Sequence, residues 1–118
     1  MNALDRVRAI CLALPDSEEK LAWGAPTWRV KGRLFAMFSN DHHGDGRIAV
    51  WCNAPEGAQR ELVAAEPVHF FVPPYVGKSG WIGVRLDTDF GWKSIAAVIA
   101  QAHTTTAAKS KSKKKRVT

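Results

Sequence analysis

Apolar and polar residues alternate with a period of two in several stretches of the chain, and this pattern predicts a β-sheet. The clearest stretch is residues 81–86, in which Ile82, Val84 and Leu86 share one face. A second apolar run, residues 69–72, comes just before it and ends at two consecutive prolines. Proline lacks a backbone donor, so the strand formed by residues 69–72 must stop there. These runs predict two adjacent strands with one face in the core.

Other stretches show helical spacing. Apolar positions recur at helical spacing near the beginning and near residue 100, and Asn53-Ala54-Pro55-Glu56 has the residues that begin a middle helix, so three helices are predicted. Asn2 and Asn53 are expected to cap the first two, and the last carries the stripe Trp92, Ile95 and Ile99. The connections between strands are too short for parallel crossovers. The predicted fold is therefore α+β: a single compact domain whose antiparallel sheet packs with an N-terminal, a middle and a C-terminal helix. The remaining strands are predicted at 20–23, 27–30, 33–38 and 47–52.

The positive charge is concentrated at one end of the chain. The net charge is +6, but residues 1–103 contain 11 basic and 11 acidic side chains. The excess lies after residue 103, where Thr, Ala, Ser and Lys dominate. We predict a folded domain over residues 1–103 and a disordered Lys-rich tail over residues 104–118.

Composition excludes several classes of protein. The chain is long enough for one hydrophobic core, and no apolar run reaches the roughly 18 residues that span a bilayer. Charged residues interrupt the first apolar stretch, so a secretory signal is not expected. Cys11 and Cys52 have no CxxC spacing, which favours buried, reduced thiols. These features predict a cytoplasmic protein.

Two motifs carry possible chemistry, and each is incomplete. Gly77-Lys78-Ser79 ends like a phosphate-binding loop, but that pattern needs glycine where Val72 stands. The loop 41–46 has two His and two Asp, yet read as a calcium loop its twelfth position is Cys52 rather than Glu. We expect a polar hairpin loop there, with no metal and no cofactor. No nucleophilic or acid–base constellation is visible, so catalytic residues are not predicted.

Three cations surround the turn Lys31-Gly32. Arg29, Lys31 and Arg33 would give this hairpin the exposed positive tip of a wing that contacts nucleic-acid phosphates. Lys78 offers a further contact. The alternative is an edge hairpin that charge protects from aggregation.

The tail carries unopposed positive charge. If all six cations met phosphates, log K against log salt would have a slope of roughly −5. A solubility tail or an RNA contact would have the same composition. The six residues are Lys109, Lys111, Lys113, Lys114, Lys115 and Arg116.

The aromatic residues suggest a second reading. Trp28, Trp51 and Trp92 lie at positions typical of the core. The others, Trp23, Tyr75 and Trp81, could line a shallow pocket with Arg85, stacking on a planar group and pairing with an anion. Core packing is the alternative for these residues as well.

The order of landmarks resembles the YjbR-like (MmcQ/YjbR) family of small bacterial proteins. The likeness is carried by Leu14-Pro15, by residues 23–30, by residues 32–36 and by the Gly80-Trp81 strand. It covers residues 3–102 and implies a compact α+β fold of the "double wing" type and a DNA-binding role. Residues 103–109 differ from the usual end of the family, so nothing about that end follows from the resemblance.

Our interpretation is a non-enzymatic protein that binds DNA, or RNA by the same electrostatics, through the basic hairpin and the tail. The alternative is a small-ligand or protein-interaction module that uses the Trp/Arg pocket and has no nucleic-acid role. No membrane partner is expected, and the sequence leaves the oligomeric state open.

Overall fold

The structure is a computed structural model that describes the backbone of residues 2–117 and the side chains of residues 2–109. It has three helices and six strands. In chain order these are α1 (Ala3–Leu12), β1 (Ser17–Ala22), β2 (Ala25–Val30), β3 (Arg33–Asn40), β4 (Ile48–Cys52), α2 (Ala58–Ala65), β5 (Phe70–Phe71), β6 (Ile82–Arg85) and α3 (Trp92–Val117).

The six strands form one antiparallel sheet in the order β1-β2-β3-β4-β6-β5. One row across it joins Trp28, Ala36, Cys52 and Ile82. The Lys31-Gly32 turn, the end of β4 and the start of β6 all lie at one end of the strands, which we call the hairpin end. The predicted α+β fold, with its three helices, is confirmed.

One face of the sheet, the helix side, carries the main core. Alternating residues of β2, β4 and β6 pack there against all three helices, and Val7, Ile95 and Ile99 are almost fully buried. At the edge of this core, Glu19 of β1 accepts hydrogen bonds from Arg8 (2.8 Å) and from the indole of Trp28 (3.1 Å). A single carboxylate thus ties α1 to the first two strands.

The opposite face, the loop side, carries a smaller cluster that includes Trp51 and Phe71. Two loops meet over it. His42 stacks edge-on against Trp51 with ring centroids 4.9 Å apart, and His43 Nε2 lies 3.2 Å from the hydroxyl of Tyr75. Gly83 is required beneath them because a Cβ at that position would overlap the Phe71 ring.

The predicted turn at Lys31-Gly32 is confirmed. Both residues have positive φ (52° and 79°), as the two central positions of a type I′ turn require. A second such turn, at Trp23-Gly24, joins β1 to β2, again with positive φ at both positions. Two-residue loops of this kind fix the register of both hairpins.

The last helix continues beyond the predicted domain boundary at residue 103. His103 lies 2.7 Å from the carbonyl of Pro15, and the Thr106 hydroxyl accepts a hydrogen bond of 2.8 Å from buried Asn53. Thr106 is itself buried, and Ala107 packs against the core. Residues 104–109 are therefore part of the helix, because tertiary contacts outweigh their polar composition. The side chains of residues 110–118 lie outside the described residues.

Two element boundaries were predicted wrongly. β1 spans Ser17–Ala22 rather than the predicted residues 20–23, because the acidic segment before Lys20 also pairs with β2. α2 begins at Ala58 rather than at Asn53. Asn53 instead uses its amide to bind Thr106 and the backbone of Ala54, so it anchors α3 and does not cap α2.

Both cysteines are buried and free, and burial raises the pKa of both thiols. Among the described residues, no helix combines the length and the hydropathy needed to cross a bilayer.

We expect Gly83→Ala to lower the free energy of unfolding by about 1–3 kcal/mol, the usual cost of overpacking. Urea unfolding followed by tryptophan fluorescence measures it. The control is a double-mutant cycle with Phe71→Ala, in which the cost of Gly83→Ala should largely vanish because the ring is gone. Additive losses would show that the ring and the glycine do not interact.

Acid should weaken the link between Glu19 and Arg8. The hydrogen bond from Arg8 lowers the pKa of Glu19 in the folded protein below its ordinary value. The stability that this pair contributes is therefore complete above about pH 5 and is lost as pH falls through the lowered folded value. Glu19→Gln should be less stable than wild type at pH 7, and the difference should shrink toward pH 3.

Thermal unfolding at the two pH values tests this dependence. Glu56→Gln, at an exposed position away from β1, is the matched control and should leave the pH profile unchanged. A Glu19→Gln variant whose stability tracks the wild type at both pH values would contradict the assignment.

Candidate nucleic-acid interface

The β2–β3 hairpin presents positive charge on both faces and at its tip. Lys31 lies exposed in the turn, Arg29 belongs to the loop side, and Arg33 lies opposite Val30 on the helix side. No carboxylate of the described residues lies within 4.0 Å of any of the three. The nearest acidic position in the sheet is Glu18, directly across from Arg29.

Three other arginines in the fold are paired with carboxylates. Arg85 makes a bidentate contact with Asp87 (2.9 and 3.0 Å), and this contact lowers the pKa of Asp87. Arg8 is held by Glu19, and Arg47 lies 3.9 Å from Asp45. The fold therefore pairs several of its cations and leaves the hairpin cations available to an external anion.

Lys78 and Lys109 lie toward the same end as the hairpin. Lys78 is in the turn Val76–Ser79, which leads into β6 at the hairpin end, and its side chain is exposed. α3 packs across the sheet and reaches the hairpin end where Thr106 meets Asn53, just after β4. Lys109 follows three residues later and is exposed. The tertiary structure thus gathers cations that are far apart in sequence.

Acidic residues lie at both ends of the sheet. Exposed acidic residues at the hairpin end are Asp16, Glu18, Glu56 and Glu61. The opposite end holds the loop after β3 and the segment after β6, with Asp41, Asp45, Asp87 and Asp89. The five hairpin-end cations named above thus outnumber the four exposed acidic residues at that end.

Five of the predicted tail contacts lie beyond the described side chains. They stay predictions, although the backbone of α3 runs to Val117. These residues are Lys111, Lys113, Lys114, Lys115 and Arg116.

The alternative pocket is not assembled. Trp23 lies at the β1–β2 turn and is 77% exposed, whereas Trp81 is buried where β6 begins, at the other end of the sheet and on another strand. Tyr75 is exposed and contacts His43, and Arg85 is occupied by Asp87. The four side chains therefore do not share one cavity.

The two histidines of the loop 41–46 make contacts within the protein. His42 packs on Trp51 and His43 contacts Tyr75. Within residues 2–109, no three His, Cys, Asp or Glu side chains are grouped as a metal site.

The contact that orients the interface, between Asn53 and Thr106, was not predicted. Asn53 and Thr106 are separated by 53 residues, and both are ordinary polar residues in the sequence. A polar pair that becomes buried leaves no periodic signal, so only the tertiary contact reveals it.

The fold and the sequence have relatives. The crystal structure of Deinococcus radiodurans protein DR2400, with its DUF419 domain, superposes with a TM-score of 0.69 at 22% sequence identity. The alignment covers 84% of this chain and 74% of that one, and it shows a shared fold. No curated protein matches the sequence.

The YjbR family model matches residues 12–105, which include the hairpin, the sheet and most of the packed part of α3. This range is well over half of the chain, so the protein belongs to the YjbR family.

Proposed function

We propose that this protein is a non-enzymatic DNA-binding protein that contacts the phosphate backbone with the hairpin end of its sheet. The observation that supports the proposal most is the convergence there of Arg29, Lys31, Arg33, Lys78 and Lys109 without ion-pair partners among the described residues. Cations left free on one surface are what a polyanion binds.

The hairpin suits this role mechanically. The two-residue turn places Lys31 beyond the end of the sheet, where β1 pairs with β2 as far as Val30, so this edge of the sheet can meet phosphates on the outside of the duplex. Arginine can bind a phosphate with a fork of two donors, and Lys31 at the tip adds a point charge. The proposal involves phosphate contacts, which position a protein on the duplex without reading its sequence.

The end of α3 extends the same surface. Because the helix reaches the hairpin end at Thr106, the Lys-rich segment that follows continues from that end. Its charges would add salt-sensitive affinity and guide the protein to DNA. We place this activity in the cytoplasm, where thiols such as Cys11 and Cys52 remain reduced. The pocket alternative has no comparable support, because its four side chains are dispersed.

The hairpin contribution is tested with Lys31→Asn/Arg33→Gln. Asparagine tolerates the left-handed conformation of position 31, so the turn should be preserved. Fluorescence anisotropy with a labelled duplex, at several salt concentrations, should show weaker binding. The slope of log K against log salt should become less steep by about 2 if both cations meet phosphates.

Arg6→Gln/Lys93→Gln is the matched control, because it removes the same charge at exposed sites on α1 and at the start of α3, at the end of the sheet opposite the hairpin. It should bind nearly as the wild type does. Equal losses in both variants would mean that only net charge matters, and an unchanged hairpin variant would exclude the hairpin from the interface.

The tail contribution is tested in the full chain by replacing its five terminal cations with glutamine. We expect the salt slope to fall by about 4–5 if each of them meets a phosphate, with residual low-salt binding by the body. Glutamine preserves helix propensity, so circular dichroism should stay unchanged. Loss of all low-salt binding in this variant would leave the tail as the whole nucleic-acid contact, and residual binding that the hairpin substitutions do not weaken would place the body contact elsewhere than the hairpin. A duplex RNA of equal length is titrated in parallel, and much tighter binding to it would assign the protein to RNA instead of DNA. The five residues are Lys111, Lys113, Lys114, Lys115 and Arg116.

A further inference from the structure

The two edges of the sheet are unequal. β5 is an edge strand of two residues, whereas β1 is an edge strand of six and has β2 as its one neighbour. β1 is also poorly covered, since Glu18, Lys20 and Leu21 are exposed. Six residues with free backbone donors and acceptors are a template for pairing with another strand.

The register of the β1–β2 hairpin shows which residues face outward. Ala22 lies opposite Ala25 across the two-residue turn, so this pair is hydrogen-bonded, and the pattern then alternates along the strand. Lys20 accordingly points its carbonyl toward β2, where the Thr27 hydroxyl donates to it (2.7 Å). The backbone groups of Ser17, Glu19 and Leu21 therefore point to the free edge.

We propose that two copies of this chain form a dimer by antiparallel pairing of their β1 strands, with the two-fold axis at Glu19. The backbone donors and acceptors of the three outward-facing residues then form hydrogen bonds with those of the second copy. Glu19 pairs with Glu19 of the second copy, and Ser17 pairs with Leu21 in both directions, which completes the ladder. The inference does not depend on DNA binding.

Charge complementarity selects this register. Glu18 and Lys20 both project to the loop side, because they lie opposite Arg29 and Thr27, on the face of the sheet that also carries Trp51. With the axis at Glu19, each Glu18 faces Lys20 of the other copy, giving two opposite-charge cross-strand pairs. Moving the axis by one residue would place Lys20 against Lys20.

The helix side is compatible with the same register. The two Glu19 carboxylates approach each other, but each is already held by Arg8 and Trp28 of its own copy. Leu21 is 78% exposed and lies at the far end of β1 from Leu12, which is 47% exposed at the end of α1. Antiparallel pairing brings Leu21 of one copy toward Leu12 of the other and shields both.

The pairing is also closed. A two-fold contact uses the same strand in both copies, and β5, the only other edge of the described sheet, has two residues. Such a dimer removes the long free edge instead of extending it into a filament.

A charge-swap experiment tests the proposal in the full chain. Wild type should show a dimer at micromolar concentration by light scattering and sedimentation. Glu18→Lys leaves lysines facing lysines, and Lys20→Glu leaves glutamates facing glutamates. Each single variant should raise the dimer dissociation constant about tenfold or more. An equimolar mixture of the two should form a heterodimer, and Glu18→Lys/Lys20→Glu should dimerise as the wild type does.

Glu56→Lys and Lys93→Glu, at exposed sites away from β1, are the matched controls and should leave the dimer intact. Melting temperatures establish that every variant is folded. A wild type that stays monomeric at high concentration overturns the proposal. Dimerisation that neither single swap weakens, or that the double swap fails to restore, assigns the contact to another surface and overturns it equally.

Discussion

The packing of α3 across the helix side of the sheet decides where the positive charge of this protein lies. Ile95, Ile99 and Ala102 bury one stripe of the helix, and Thr106 reaches buried Asn53 at the end of β4. A buried polar pair that lost one partner would leave an unsatisfied group, so this contact fixes the helix along its axis. Because α3 is fixed in this direction, its basic extension continues from the end of the sheet that carries the basic hairpin.

Charged residues outside the hairpin also show how the fold leaves the hairpin cations available. Three arginines outside the hairpin end are held by carboxylates, among them Arg8 by Glu19 and Arg85 by Asp87. Exposed ion pairs add little stability, so the hairpin cations cost the fold little by remaining unpaired. An external phosphate can then bind them without breaking an internal contact. The electroneutrality of residues 1–103 conceals this arrangement, because it averages over both ends.

The β1 strand shows how one short segment meets two constraints. Glu19 is needed on the helix side, where it joins Arg8 to Trp28. Glu18 and Lys20 project to the other side, where nothing in the described residues requires their charge. Charges on an edge strand usually discourage pairing. Here their spacing discourages all but one self-pairing register, which is how a sheet edge can be both protected and specific.

Local features of this protein could be predicted from the amino-acid sequence alone. The Lys31-Gly32 turn, the alternation in β6 and the apolar stripe of α3 are set by neighbouring residues, and each was predicted. The buried positions of Trp28 and Trp51 followed from the same alternation. The resemblance to the YjbR family also rested on such local landmarks, and the family match confirms it.

Several other features depend on tertiary contacts and were not predictable from local patterns. The tertiary structure turned the acidic segment Ser17–Glu19 into a strand, released Asn53 from a helix cap, and carried the packed helix past residue 103. It also separated Trp23 from Trp81 and brought Lys78 and Lys109 to the hairpin end. These outcomes depend on contacts between residues distant in the chain, whose energies exceed the small local preferences of polar residues. A periodic pattern carries no information about such contacts, because it records only which face of an element is apolar.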